Sequence, residues 1–129
     1  MGINGCVEQI MTIPGARGAT LVDCSTGLAV AAVGGSGVLD RHEDAAGTTD
    51  VVRVVLASPA LSASPAGDDV QEIIVSGEFG YHLLVCVGRA FGAQLFLHVV
   101  LDRDSGNLAL ARLRVREIVD LLAGGRDDV

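Results

Sequence analysis

The chain has no lysine and no tryptophan, and only four aromatic residues, one tyrosine and three phenylalanines. Without lysine, the phosphate-binding loop G-x-x-x-x-G-K-[ST] cannot be completed, which excludes a GTPase or ATPase built on it. Nine basic residues against sixteen acidic ones give a net charge of −7. That is the wrong sign for a phosphate backbone, and four aromatics make no base-stacking platform, so no nucleic-acid partner is expected. Cysteine is sparse as well: Cys6, Cys24 and Cys86 are odd in number and form no C-x-x-C. They suit neither a disulfide framework nor a zinc ribbon, and a reducing cytoplasm is the expected location. No apolar run approaches the 18 or more residues that span a bilayer, so direct membrane insertion is not expected. Met1 to Met11 carries Glu8 and no basic residue, unlike a secretory signal. There is no repeat of 20 to 50 residues and no low-complexity tract.

What is present is apolar. Half of the 129 residues are hydrophobic, and the mean hydropathy is +0.48. That is enough for a single domain over 1–129 with its own core and no staple of metal or disulfide. The excess hydropathy calls either for a sheet covered on both faces or for an apolar patch reserved for another chain.

The periodicities predict the order α-β-β-α-β-β-β-α. Ile3, Cys6, Val7, Ile10 and Met11 recur at helical spacing, and Pro14-Gly15 ends that helix. Ala19 to Cys24 and Leu28 to Gly34 read as strands joined by a hairpin at Ser25-Thr26-Gly27, with Gly34-Gly35-Ser36-Gly37 ending the pair. Asp40 is the expected N-cap of a second helix reaching about Ser58, where Pro59 stops it. Gly47, Thr48, Thr49 and the four valines between Val51 and Val55 are poor helix formers, so packing must hold this helix. It carries one stripe of His42, Ala45, Thr49, Val52 and Leu56 and another of Val51, Val54, Val55 and Ser58. That arc is wider than one buried face needs. After a turn region at Ser62 to Asp68, strands are expected at Val70 to Ser76, a mixed edge, at Tyr81 to Val87, and at Ala93 to Asp102. The last, almost continuously apolar, reads as central. Ser105 or Asp104 is the expected cap of a third helix with the stripe Leu108, Ala111, Val115, Ile118, Val119 and Leu122, ending at Gly124-Gly125.

No catalytic, cofactor-binding or metal-ligating set emerges. Gly35-Ser36-Gly37 lacks the strand-to-helix elbow and the acid and histidine partners of a serine hydrolase. Asp68-Asp69 and Asp127-Asp128 are adjacent carboxylates that cannot straddle a bond, and they read as solvating charges. All nine cations are arginines, scattered rather than clustered; Arg17 and Arg89, read as lying in glycine-flanked turns, are the candidates for an arginine finger. Centring the last hairpin on Ala90 puts His82 directly opposite His98 on one face. Two imidazoles in contact are an incomplete metal site and a candidate titrating pair.

Several short motifs stand in a fixed order: Pro14-Gly15-Ala16-Arg17-Gly18-Ala19 leading into Leu21-Val22-Asp23, then Thr26-Gly27, then Asp102 followed by Asn107-Leu108-Ala109-Leu110-Ala111-Arg112. In this order the chain resembles the roadblock/dynein light chain family over nearly its whole length. The resemblance implies an α+β, profilin-like sandwich: a five-stranded antiparallel sheet with helices one and three on one face and helix two on the other. It also implies homodimers formed through helix two and the neighbouring edge strand, the surface already marked by the wide apolar arc and the mixed edge. The expected interface residues are Val51, Val52, Val55, Val70, Ile73 and Val75, with Arg41, Asp44 and Arg53 at a polar rim. By resemblance the function is that of a non-enzymatic regulator or scaffold for a small Ras-like GTPase. The alternative is a small-ligand sensory domain with a pocket between sheet and helix, which rests on fold analogy.

Overall fold

A computed structural model describes residues 1–35 and 40–125; Ser36-Gly37 and Asp127-Asp128, singled out above, lie outside the described residues. The elements are α1 (Ile3–Ile10), β1 (Ala16–Asp23), β2 (Leu28–Gly34), α2 (Arg41–Ala57), β3 (Glu72–Ser76), β4 (Gly80–Ala90), β5 (Ala93–Asp102) and α3 (Leu108–Gly125). The order is the expected one. All five strands form one antiparallel sheet in the order β2-β1-β5-β4-β3. The most apolar strand, β5, is therefore central, and β3 is an edge. No helix among the described residues is long and apolar enough to cross a membrane.

Alternation along the strands divides the apolar residues between two cores. On one face Leu21, Leu83, Val85, Leu97, Val99 and Leu101 meet Cys6, Val7 and Ile10 of α1 and Ala111, Val115, Ile118, Val119 and Leu122 of α3. On the other, Val22, Leu84 and Phe96 meet Ala45 and Val52 of α2. The second core is the smaller, and α2 offers it mostly short side chains. Asp40 caps α2 as expected, its carboxylate accepting from the amides of His42 and Glu43 at 2.9 Å each. The hydroxyls of Thr48 and Thr49 return to carbonyls one turn back, Thr49 to Ala45 at 2.7 Å. This satisfies two polar groups that the helix would otherwise bury.

Several boundaries differ from expectation. β1 begins at Ala16 rather than Ala19, and β3 begins at Glu72, which leaves Val70 in the preceding turn. β4 extends through Gly88 to Ala90. Consequently Arg17 and Arg89 lie within strands, not in turns. Neither Ser105 nor Asp104 caps α3, because Asp102 already takes both their amides and the Ser105 hydroxyl in a tight turn. The cap is Asn107, whose side chain accepts from the Leu110 amide at 3.0 Å. The turn at Asp102 to Gly106 is pressed against Gly15, where a Cβ would collide with the Gly106 backbone. Glycine at 15 lets the start of β1 meet this turn, and glycine at 106 lets the turn close over the Asp102 carbonyl and the Leu101 side chain.

The last hairpin turns on Phe91-Gly92, both at positive φ, rather than on Ala90. A bulge between Cys86 and Gly88 then changes the register, so that His82 pairs with Val100 and His98 with Leu84. The expected direct pairing of the two histidines is therefore off by two positions. An even displacement keeps both side chains on the α2 face, and their rings still meet as diagonal neighbours.

Candidate functional site

The second stripe of α2 faces away from the sheet. Val54 is 69% exposed and Val51 45% exposed, while Val55 is half-buried. Among the described residues β3 pairs only with β4, so the backbone groups on its far side have no strand partner among them. Along it Val75 is 47% exposed, and Ile73 is half-buried against the smaller core. Just beyond, in the β3–β4 turn, Phe79 stands 80% exposed. Sequence reasoning missed Phe79; the only signal was an aromatic in a glycine-bounded turn, Gly77-Glu78-Phe79-Gly80. α3 also leaves Leu110, Leu113 and Leu121 exposed, but these alternate with Arg112, Arg114, Glu117 and Asp120 along the helix. The α2 stripe, Val51, Val54 and Val55, is interrupted only by Arg53 and by the inward-facing Val52.

Three of the expected site residues have other work. Val52 is 1% exposed, packed under α2 in the core of Val22, Leu84 and Phe96, so it cannot contact a partner while α2 is seated. Arg53 is turned to the β1–β2 hairpin: its Nε and Nη2 donate to the Cys24 carbonyl at 3.0 and 2.7 Å, and Nη2 also donates to the Ser25 carbonyl at 2.9 Å. Its guanidinium, on an exposed side chain, ties the helix to the hairpin. Asp44 is directed at His98, with Oδ2 3.4 Å from Nδ1. Arg41 is exposed and remains available as rim, and Val70 is half-buried in its turn. Of the two finger candidates, Arg17 lies 3.8 Å from Asp102, and Arg89 pairs in the ladder with Gln94.

The polar chemistry is structural wherever it can be followed. Asp69, read above as a solvating charge, organises the loop before β3: it accepts from the Ser62 hydroxyl at 2.6 Å and the Ala63 amide at 2.8 Å. These bonds hold its carboxyl below the usual carboxylate range, the Ser62 bond most. Burial pushes the Cys6 thiol up to about 11 and raises Cys24 and Cys86 as well; at Cys24, Arg53 offsets part of the rise. Such thiols are poor nucleophiles. No group of three or more candidate metal ligands occurs among the described residues. A cleft of about 170 Å³, lined in part by Leu56, Val70, Cys86, Gln94 and Arg116, opens beside the Gly88 bulge.

Solved structures share this architecture. MglB of Myxococcus xanthus superposes with a TM-score of 0.79 at 19% identity, over 98% of this chain and 96% of that one. A Roadblock/LC7 domain from Streptomyces avermitilis gives 0.72 at 17% identity, covering 94% of each chain. This chain has the roadblock fold. The gliding protein MglB from Thermus thermophilus agrees, with a TM-score of 0.75 at 18% identity over 100% of this chain and 95% of that one. No protein-family model matches the sequence, and no curated protein is significantly similar to it. The roadblock fold is thus carried here by a sequence in which fewer than one residue in five is shared with these neighbours.

Proposed function

We propose that this chain is a cytoplasmic, non-enzymatic regulator or scaffold of the roadblock family. In this reading it is a homodimer that binds a small Ras-like GTPase. The observation that carries the reading is apolar surface left uncovered on two elements, Val51 and Val54 on α2 and Val75 on β3, an edge strand of the sheet. Such a combination is a liability in a lone chain and an asset when a second copy covers it. A roadblock-fold MglB has been described with a tetrameric arrangement, which supports self-association as a property this fold allows. Val54 and Phe79 join Val51, Val55, Ile73 and Val75 as proposed contact residues, and Arg41 is the proposed rim.

Among the described residues the polar groups are tied into the fold, and the uncovered apolar side chains of α2 and β3 are the surface such a platform would use. With a net charge of −7, the chain favours a partner with a basic contact patch, and that charge acts mainly on the rate of association. Sedimentation tests the dimer: wild type is expected to be dimeric at micromolar concentration, and Val54→Asp or Val75→Asp to be monomeric. A monomeric wild type overturns it. Capture from the native cytoplasm, followed by binding of any recovered GTPase in its GDP and GTP states, tests the partner. Recovery of a kinase or small metabolite, with no GTPase in either state, would replace this reading with the sensory one.

A further inference from the structure

On the α2 face of the sheet, beside the core of Val22, Leu84 and Phe96, three polar side chains stand in line. Asp44 Oδ2 lies 3.4 Å from His98 Nδ1, and His98 Nε2 lies 2.9 Å from His82 Nδ1. The ring centroids lie 5.2 Å apart and the planes 23° from parallel, so the rings meet edge to edge through that contact. His98 is 3% exposed, His82 is half-buried, and Asp44 comes from the first turns of α2. We propose that Asp44, His98 and His82 form a proton-operated latch that seats α2 on the sheet near neutral pH and releases it in mildly acidic solution.

The number of protons the line can hold sets its behaviour. With His98 donating from Nδ1 toward Asp44, its Nε2 must accept, so His82 donates from Nδ1 and keeps a free Nε2 on the half-buried side of its ring. One added proton fits there, and both contacts survive. A second places N–H against N–H across the 2.9 Å gap, which breaks the bond and leaves an imidazolium on His98 beneath α2. Water reaches that cation only if α2 lifts.

The surroundings offer little else to offset the charge. On β1, Thr20 stands opposite His98, and on β3, Val75 stands opposite His82; neither titrates. β5 contributes Val100 beside His82, and β4 contributes Leu84 beside His98. From α2, Asp44 is the group in contact, while Asp40, Arg41, His42 and Glu43 are exposed. Burial pushes the His98 imidazole below its ordinary range, Asp44 pulls it partly back, and His82 lowers it again. The sign follows. A histidine whose folded value is depressed adds stability that is complete above the unfolded value, about 6.5, and is lost as pH falls below it.

Asp44, His98 and His82 belong to one chain, so the latch is tested without a GTPase and with the oligomeric state held fixed. Hydrogen exchange of the full chain is measured at pH 7.5 and 5.5, at a concentration where sedimentation shows one oligomeric state at both, and corrected for intrinsic rates. Protection of α2 over 45–52 should fall by more than about twofold relative to α3, with about tenfold as the ceiling that linkage to one depressed histidine sets over this interval. His98→Gln should reduce the change to less than twofold. His82→Gln, at the half-buried position, should shrink it and move the His98 titration, followed by NMR, to higher pH. Should His98→Gln fail to fold, the wild-type His98 titration decides. A midpoint at or above about 6.5, or α2 and α3 losing protection in parallel, overturns the proposal.

Discussion

Arg53 separates the fold's own needs from those of a partner. Its guanidinium makes three hydrogen bonds, of 2.7, 2.9 and 3.0 Å, to the carbonyls of Cys24 and Ser25 at the β1–β2 hairpin. A hydrogen bond to a charged donor contributes roughly 1.5–3 kcal/mol when shielded. Here two of the bonds share one acceptor and the residue is solvent-exposed, so we expect Arg53→Ala to destabilise the isolated protein by about 2 kcal/mol. For a chain of this length that corresponds to a fall in Tm of about 6–10 °C. Arg53→Lys should recover less than half of the loss, because one ammonium on a flexible stem does not reproduce the planar fork. The exposed Arg41→Ala should lie within about 0.5 kcal/mol of wild type. Urea unfolding of the three variants, with a thermal scan, measures all of this. An Arg53→Ala protein melting within a degree of wild type would refute the reasoning and return Arg53 to the rim.

Other changes test other links. Phe91 sits at φ 54 in the β4–β5 turn, so Phe91→Asn should stabilise by about 1 kcal/mol, read from the urea midpoint, because asparagine tolerates the left-handed region far better. Val52→Ala should cost about 1–2.5 kcal/mol through the cavity it opens beneath α2, with a steeper rise in α2 hydrogen exchange than in α3. The folded carboxyl of Asp69 lies below its ordinary value, so its hold on the 58–70 loop is present above about pH 3.8 and is lost as pH falls through the depressed value. Asp69→Asn should therefore open that loop to limited proteolysis at neutral pH, as acid does in wild type.

The element order and the central place of β5 are legible in the sequence because both depend on residue type alone: continuous apolar runs for a strand covered on two sides, stripes for helices. The outward valine stripe of α2 is legible too, because Val51, Val54 and Val55 fall on one face at any plausible boundary. What escapes is set by long-range pairing. Val52 is expected at the interface by resemblance, yet it lies about 100° of rotation from Val51, on the stripe of Ala45 and Thr49, and that stripe is the buried one. The histidine register turns on a bulge at Gly88 that no local pattern announces. The cap of α3 goes to Asn107 because Asp102, five residues earlier, has already engaged Ser105. The bonds of Arg53 to its own chain can be recognised only once a hairpin 28 residues away is known to lie beside it.

α2 has the least secure hold of the three helices, for reasons that begin with its composition. Gly47, two threonines and four valines give it little intrinsic helicity, so packing must supply most of its stability. Its buried residues are Ala45, Thr49 and Val52, which remove far less apolar surface from water than the leucines, isoleucines and valines under α1 and α3. Arg53 at one end and the Asp44–His98–His82 line near the other supplement that small core with polar ties. Whatever covers Val51 and Val54 adds apolar burial to the one helix that lacks it, so binding and the seating of α2 are thermodynamically coupled. In the proposed dimer, melting should rise with protein concentration, and hydrogen exchange in α2 should slow more than in α1 or α3. A Tm independent of concentration over two decades would mean that α2 is held entirely from within, and the wide apolar arc would then need another explanation.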